Sequence, residues 1–433
     1  MFIARSAARV RRARVAFLAA GLLPCVALLA WAVHIRSASH RDSLRQAWQQ
    51  RLGLALEVGA VAHLRPGAVR ADRCTLLDAA GQRVLDLPRV EAESAATEDR
   101  LLIDRLRCDE HAARLLAALA RDWLQGEARF PRSCVVEVAD FQWDASAASV
   151  AATGPATPLR VECVAQAGSR AIRVVRHAAA GDEVRIVRTW SRDATGAAID
   201  RVEVEASCTD PIPWGIVVAL VGGGTTAGSS LGPTALASGT LRVTRDAGSW
   251  GGTVAGRIAE IDVAACAAAL GSRAAGTATV DLNDVTWQQG RLCGGAIGWS
   301  AGPGWIDGRL LDRIGMALGC QPRSSPPATR SERAIDAMAC VLRFGPNGAR
   351  ILPAGGLREG MVVAEGRPLL DAPTTVVPFE RLAWMLAAPD TAYVPASGPG
   401  AWLMSVLPDG VPPPAGDGQR ASNPPPTSGG GAF

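Results

Sequence analysis

The chain has 433 residues, 48% hydrophobic and 20% charged, enough apolar material for a sizeable core and too much for wholesale disorder. All 45 basic residues are arginine, which excludes a Schiff-base lysine, a Walker lysine and a Ser-Lys dyad. Five of those arginines lie in the first 14 residues. The other 40 face 41 acids, so no basic surface for nucleic acid is implied, and one Tyr with seven Phe makes no stripe for base stacking.

Residues 1–14 form a basic tail ahead of the uncharged run 15–35, VAFLAAGLLPCVALLAWAVHI. That run has the length a helix needs to cross a hydrocarbon layer of about 30 Å. It predicts one transmembrane helix. The positive-inside rule then puts the tail in the cytoplasm and the body across the cytoplasmic (inner) membrane, in the periplasm. The competing reading is a signal peptide cut near Ser37 and Ser39. It expects a shorter apolar region and no Arg36 before the cut, and it exports the body equally.

The stretch 36–212 reads as an exported, β-rich region, with a short surface helix at 45–52 and a first strand at 54–58. Residues 110–124 set Leu115, Leu119 and Trp123 at helical spacing against Arg114, Arg121 and Asp122, an amphipathic helix. Further strands are predicted at 139–143, 158–166, 183–190 and 200–208. Their alternation is regular. Leu159, Val161, Cys163 and Ala165 oppose Arg160, Glu162 and Gln166, and Val202, Val204, Ala206 and Cys208 oppose Glu203, Glu205 and Ser207. Val184 and Ile186 alternate in the same way. Period two marks half-buried strands, and short Gly/Asp/Asn connections favour antiparallel hairpins.

The region 213–319 opens on WGIVVALVGGGTTAGSSLG, where Gly222, Gly224 and Ala227 match a dinucleotide-binding glycine turn. Such a turn must open a helix after a strand. Pro233 and repeated glycines follow instead, and Ser229 stands where the P-loop spacing of Gly223 and Gly228 would require lysine. A connector after a short apolar helix or strand is the expected form. Strands resume at 240–244, with Leu241 and Val243, and at 277–283, with Val280 and Leu282. G-T-x-x-V occurs at Gly239 and again at Gly276, a hint of repetition. A helix is predicted at 309–318, a linker at 320–333, and a C-terminal α+β portion at 334–407 with a helix at 379–386. The Pro/Gly-rich tail 408–433 cannot form a core.

No convincing catalytic constellation emerges, and neither a cofactor nor a metal is expected. Apart from Cys25 in the membrane run, the cysteines are widely spaced with no C-x-x-C. They read as small buried hydrophobes, or as an oxidised pair such as Cys163 with Cys208. The five histidines include no H-E-x-x-H, and Cys108 with His111 is a lone C-x-x-H. Asp281, Asn283 and Asp284 lack the remaining calcium-loop positions, Asp109-Glu110 is a solvated helix start, and G-x-S-x-G does not occur. The chain is therefore not expected to be an enzyme.

The basic tail, single membrane helix and segment RLGLALEVGAVAHLRPGAVRADRCTLLDAAGQRVLDLPRVEAE (51–93) resemble the start of the AsmA-like family of membrane-anchored envelope proteins. Residues 236–319 are similar to the Gly-punctuated strands of that family's C-terminal region, where strand pairs end in phrases like Gly256-Arg257-Ile258 and Gly308-Arg309-Leu310-Leu311. CVLRFGPNGARI (340–351) resembles its strand, glycine turn and strand. The resemblance implies an elongated, curved antiparallel sheet with an apolar groove, in proteins tied to envelope integrity and phospholipid movement.

The expected fold is thus mainly β: a transmembrane helix, then a large antiparallel sheet, groove-like or sandwich, with a few amphipathic helices. The helices look too few to cover every strand. Leu159, Val161, Val184, Ile186, Val202, Val204, Leu241, Val243, Val280 and Leu282 are the candidate lipid-facing surface, with phospholipid acyl chains as the occupant. The alternatives are an ordinary sandwich core in a non-catalytic module that binds other envelope proteins, and an exported hydrolase with an unrecognised nucleophile.

Overall fold

The computed structural model describes residues 7–52, 54–78, 80–95, 98–126, 132–144, 157–176, 182–192, 198–221, 231–246, 248–323, 332–345, 347–354, 360–385 and 406–407. Helix α1 (Ala7–Arg36) takes in the apolar run and the four arginines from Arg9 to Arg14, and is long and apolar enough to cross a membrane. The Ser37 hydroxyl donates to the His34 carbonyl at 2.6 Å where α1 gives way to α2 (Ala38–Leu52). Helix α2 begins earlier than the 45–52 expected and lies along the first strand. Gln49 Nε2 donates to the Leu56 carbonyl at 3.1 Å, and the His40 and His63 Nε2 atoms are 2.8 Å apart.

Strands β1 (Ala55–Arg65), β2 (Ala68–Leu77), β3 (Arg83–Ser94) and β4 (Glu98–Cys108) form an antiparallel meander. Helix α3 (Glu110–Gln125) then carries the chain over to β5 (Ser133–Trp143), which lies parallel to β4. Antiparallel pairing resumes through β6 (Thr157–Gln166), β7 (Ser169–Arg176), β8 (Glu183–Arg192) and β9 (Ala198–Pro213). After α4 (Trp214–Val221), β10 (Leu236–Asp246) returns against β9 and leads into β11 (Ser249–Asp262).

Beyond these come α5 (Val263–Ala269), β12 (Ala274–Ala275), β13 (Thr277–Gln288), β14 (Arg291–Ala301), β15 (Gly304–Asp307) and α6 (Gly308–Leu318). The last described elements are β16 (Gln321–Pro322), β17 (Glu332–Ile335), β18 (Ala337–Gly345), β19 (Gly348–Pro353), β20 (Val362–Ala364), β21 (Arg367–Asp371) and α7 (Phe379–Met385). Pairing of β11 with β13, β13 with β14 and β14 with β18 extends the same sheet to 18 strands. Strands β12, β15 and β17 make a separate sheet of three.

Every strand predicted from alternation is present, and the fold is mainly β as expected. Three details differ from the sequence reading. The junction of β4 and β5 is parallel, because a helix rather than a tight turn joins them, and parallel neighbours need a long crossover. Of the phrases expected to end strands, Gly256-Arg257-Ile258 lies within β11, while Gly308-Arg309-Leu310-Leu311 follows β15 and opens α6, the helix expected at 309–318, which the Asp307 side chain caps by accepting from Arg309 N at 2.9 Å. Cys163 and Cys208 cannot pair, since β7 and β8 lie between β6 and β9. The apolar run before the glycines is helix α4, so no strand feeds the turn at 222–230, which itself lies outside the described residues. Most of the 320–333 linker and the 408–433 tail lie outside them too.

Glycine is required where β9, β10 and β11 draw together. Gly239 has φ 138°, sits at an irregularity in the β9–β10 register, and faces Gly256 directly. A methyl group on Gly239 would collide with the Ala255 carbonyl and the Gly256 Cα. Gly239→Ala is expected to destabilise the protein by at least about 1–3 kcal/mol, the range for strained backbone. Denaturant unfolding checks this; a change within about 0.5 kcal/mol, typical of an indifferent surface site, would refute the close approach.

Candidate functional site

Because side chains alternate along each strand and register fixes which residues stand opposite one another, the pairing defines rows that cross the sheet. One row runs Val136, Val161, Val174, Val184, Ala206, Leu241, Val254, Val285 from β5 to β13. Beside it runs Cys134, Cys163, Ile172, Ile186, Val204, Val243, then Gly252 and Trp287. Gly256, Leu282, Ile297, Leu342 and Ile351 continue the apolar face from β11 to β19. All ten candidate residues stand on this face.

The opposite face is charged. Arg160 meets Glu162 at 2.7 Å, Arg173 meets Glu183 at 2.8 Å, Arg242 meets Glu205 at 3.0 Å and Arg257 meets Asp281 at 3.3 Å. Exposed pairs of this kind contribute little stability each, about 0–1 kcal/mol. Their chief consequence is directional, because a one-residue slip would turn them into the apolar side.

Helices cover the apolar face in separate places. Leu56, Ala71, Cys74, Leu76, Leu87 and Phe141 pack with Ala112 and Ala113 of α3 and with Ile216 and Ala219 of α4, and Leu159 joins them. The far end of α3 puts Trp123 and Leu124 over Ile172, with Val161 and Ile186 alongside. At the other margin, α6 and α7 bury Leu310, Leu311, Ile314, Phe379 and Leu382 against Ile351 and Val362. A small cluster of Ala235, Ile261, Ala278 and Ala301 takes in Val280. Val184, Val202, Val204, Leu241, Val243 and Leu282 belong to none of these cores and remain half-buried. Among the described residues, the middle of the sheet is thus an open apolar lane between covered ends.

Sequence reasoning missed Val174, which packs beneath the end of α3, and Val254, which carries the row across β11; Ala206 was read on the apolar side of its strand but not among the candidates. In β7 the adjacent Val174-Val175 blurs the alternation, and in β11 glycines interrupt it. Only the pairing register identifies them as members.

Polar groups on the lane side bind the covering elements down. Asp109 caps α3 by accepting from Ala112 N at 2.7 Å, and Gly126 ends it at φ 84°. At that C-terminus Arg170 donates to the Trp123 carbonyl and Arg188 to the Leu124 carbonyl, the latter at 3.2 Å. Arg188 is held in turn by Asp200 at 2.7 Å. Across the lane, buried Asp182 accepts from the Thr209 N–H and hydroxyl, each at 2.6 Å, and from Arg176 at 2.6 Å. Arg176 also reaches Asp210 at 2.9 Å.

The metal-like pair of the sequence does not come together as a site. Cys108 is buried, its thiol pushed up to about 12 by desolvation and by Asp109, while His111 faces Asp78 at 3.3 Å. Among the described residues no group of three or more His, Cys, Asp or Glu is arranged to hold a metal ion. Comparison with family models, with curated proteins and with solved structures finds no match for the chain.

Burial alone would raise the Asp182 carboxyl, but its bonds from Thr209 and Arg176 outweigh that and hold it below its ordinary value. A depressed carboxyl stabilises the fold at neutral pH and loses that contribution as the pH falls through the carboxylate range. Asp182→Asn is expected to cost about 2 kcal/mol at neutral pH, the scale of a hydrogen bond to a charged group. It should also flatten the loss of stability on acidification. Denaturant unfolding from pH 7 downward checks both, and a variant that keeps the wild-type slope would show that Asp182 does not govern it.

Proposed function

We propose that the protein is a membrane-anchored envelope protein that holds lipid acyl chains along the open lane of its sheet, in the manner the AsmA-like resemblance implies. The observation that carries this reading is the lane itself: Val184, Val202, Val204, Leu241 and Val243 on the adjacent strands β8, β9 and β10, with Leu282 on β13 beyond β11, all half-buried and outside every packed core. Acyl chains laid there would be removed from water at about 25 cal/mol per Å² of apolar area, the same effect that drives a core. The charged rear face keeps the sheet wetted on one side, so the two faces have opposite solvent preferences. Helix α1 supports an attachment beside the lipid source, and the arginines at its start favour a cytoplasmic tail and an exported sheet.

The reading requires no catalytic group. Binding is by area and shape, with orientation set by the ion-paired Arg176 and Arg188 near the lane's margins. The full chain, purified in detergent and exchanged extensively before native mass spectrometry with lipid extraction, is expected to retain phospholipid. The double variant Val202→Asp, Val204→Asp should retain about tenfold less, the change that about 1.4 kcal/mol of lost contact produces, with its circular dichroism unchanged. A folded wild-type chain free of lipid would overturn the proposal and return the sheet to a protein-interaction module.

A further inference from the structure

Cys134 on β5 and Cys163 on β6 stand directly opposite each other in the antiparallel register. Both belong to the same apolar row and both are half-buried. Directly opposed residues of an antiparallel pair have Cα atoms about 4.5–5.5 Å apart, and a disulfide accepts about 4.4–6.8 Å. Among the described cysteines no other two are register partners. Cys208 faces Gly239, Cys340 faces Trp299 and Pro353, and Cys74 faces Val58 and Leu87.

We infer that Cys134 and Cys163 form a cross-strand thiol–disulfide couple, closed by a disulfide-bearing oxidant and opened by a thiol reductant. One of the two cysteine thiolates attacks one sulfur of the oxidant, making a mixed disulfide and expelling the oxidant's other half as a thiolate. The facing cysteine's thiolate then attacks the cysteine sulfur of the mixed disulfide, forming the intrachain bond and releasing the second half. The two cysteine protons end on the two released thiolates, so the oxidant gains two electrons and each cysteine gives up one. The direct opposition of the two residues in register places the second thiol beside the first throughout.

The placement gives the bond a mechanical role. Strand β5 is held on its other side by the parallel pairing with β4, slightly less stable per residue than an antiparallel ladder. A staple from β5 to β6 secures the strand at that junction. Cys163 also lies against Trp123 and Leu124, so closing the bond fixes the floor beneath the end of α3. The inference does not depend on lipid binding.

The wild-type sequence supplies its own test. Trypsin cuts after Arg132, Arg160 and Arg170, which places Cys134 in peptide 133–160 and Cys163 in peptide 161–170. The full chain in detergent, reduced, freed of reductant and incubated with oxidised glutathione, is then blocked by alkylation and digested. A linked pair of 133–160 with 161–170, two hydrogens lighter than the sum of the separate peptides, is the expected dominant product. Dithiothreitol should return both, and Cys134→Ser should abolish the link. Recovery of both cysteines as free thiols, or as two separate glutathione adducts, would overturn the inference.

Discussion

The structure depends on the registration of apolar rows across one very wide sheet. A strand has two faces, and each added strand extends both, so a sheet of this width creates more apolar surface than a few short helices can cover. The pairing aligns valine with valine from β5 to β8, with Ile172 opposite Ile186 beside them, while arginine and glutamate meet on the reverse. Slippage at any one pair would exchange the two sets. The open lane is therefore a direct consequence of how the sheet is specified: the same alternation that fixes register leaves the central strands with an apolar side and no helix of their own.

How much of this was legible in the sequence varies with the strand. Where polar and apolar residues alternate without interruption, as in 158–166 and 200–208, the strand and its inward residues could be read directly, and the ten candidate positions indeed share a face. The residues passed over lie where the pattern is locally ambiguous, as at Val174-Val175, or diluted by glycine, as around Val254. Which candidates are covered was not legible at all. Leu159 and Val202 look alike in sequence, yet one meets the α3–α4 layer and the other does not, because that depends on where a helix lands across several strands. The parallel β4–β5 junction was hidden for a related reason: α3 was visible, but not its effect on strand direction.

Arginine in place of lysine suits the few polar groups that this apolar side admits. The planar guanidinium at Arg170 and Arg188 reaches the helix-end carbonyls of Trp123 and Leu124, the former also accepting from the Gly126 N–H, and Arg170 stacks on the Trp123 ring at 5.3 Å. Arg176 bridges two carboxylates. These side chains tie α3 and the ends of β7, β8 and β9 together. Polarity on the lane side is spent on fastening and leaves the central rows aliphatic.

The two margins of the sheet sharpen the contrast with its middle. An unpaired edge strand is a template for unwanted pairing, and proteins commonly cover it. Here α2 lies along β1, with Gln49 donating to an edge carbonyl, and at the far side Ala349 and Val377 exchange both backbone hydrogen bonds at 2.9 and 2.8 Å. Both margins thus carry cover that a central strand does not need, since its backbone groups are already paired on each side. What the central strands lack is cover of another kind, over their side chains. Edge protection requires directional hydrogen-bond partners, which the chain supplies from its own backbone and amides. The lane asks only for something apolar and long enough to cross several strands, a requirement that an acyl chain meets without any specific partner group.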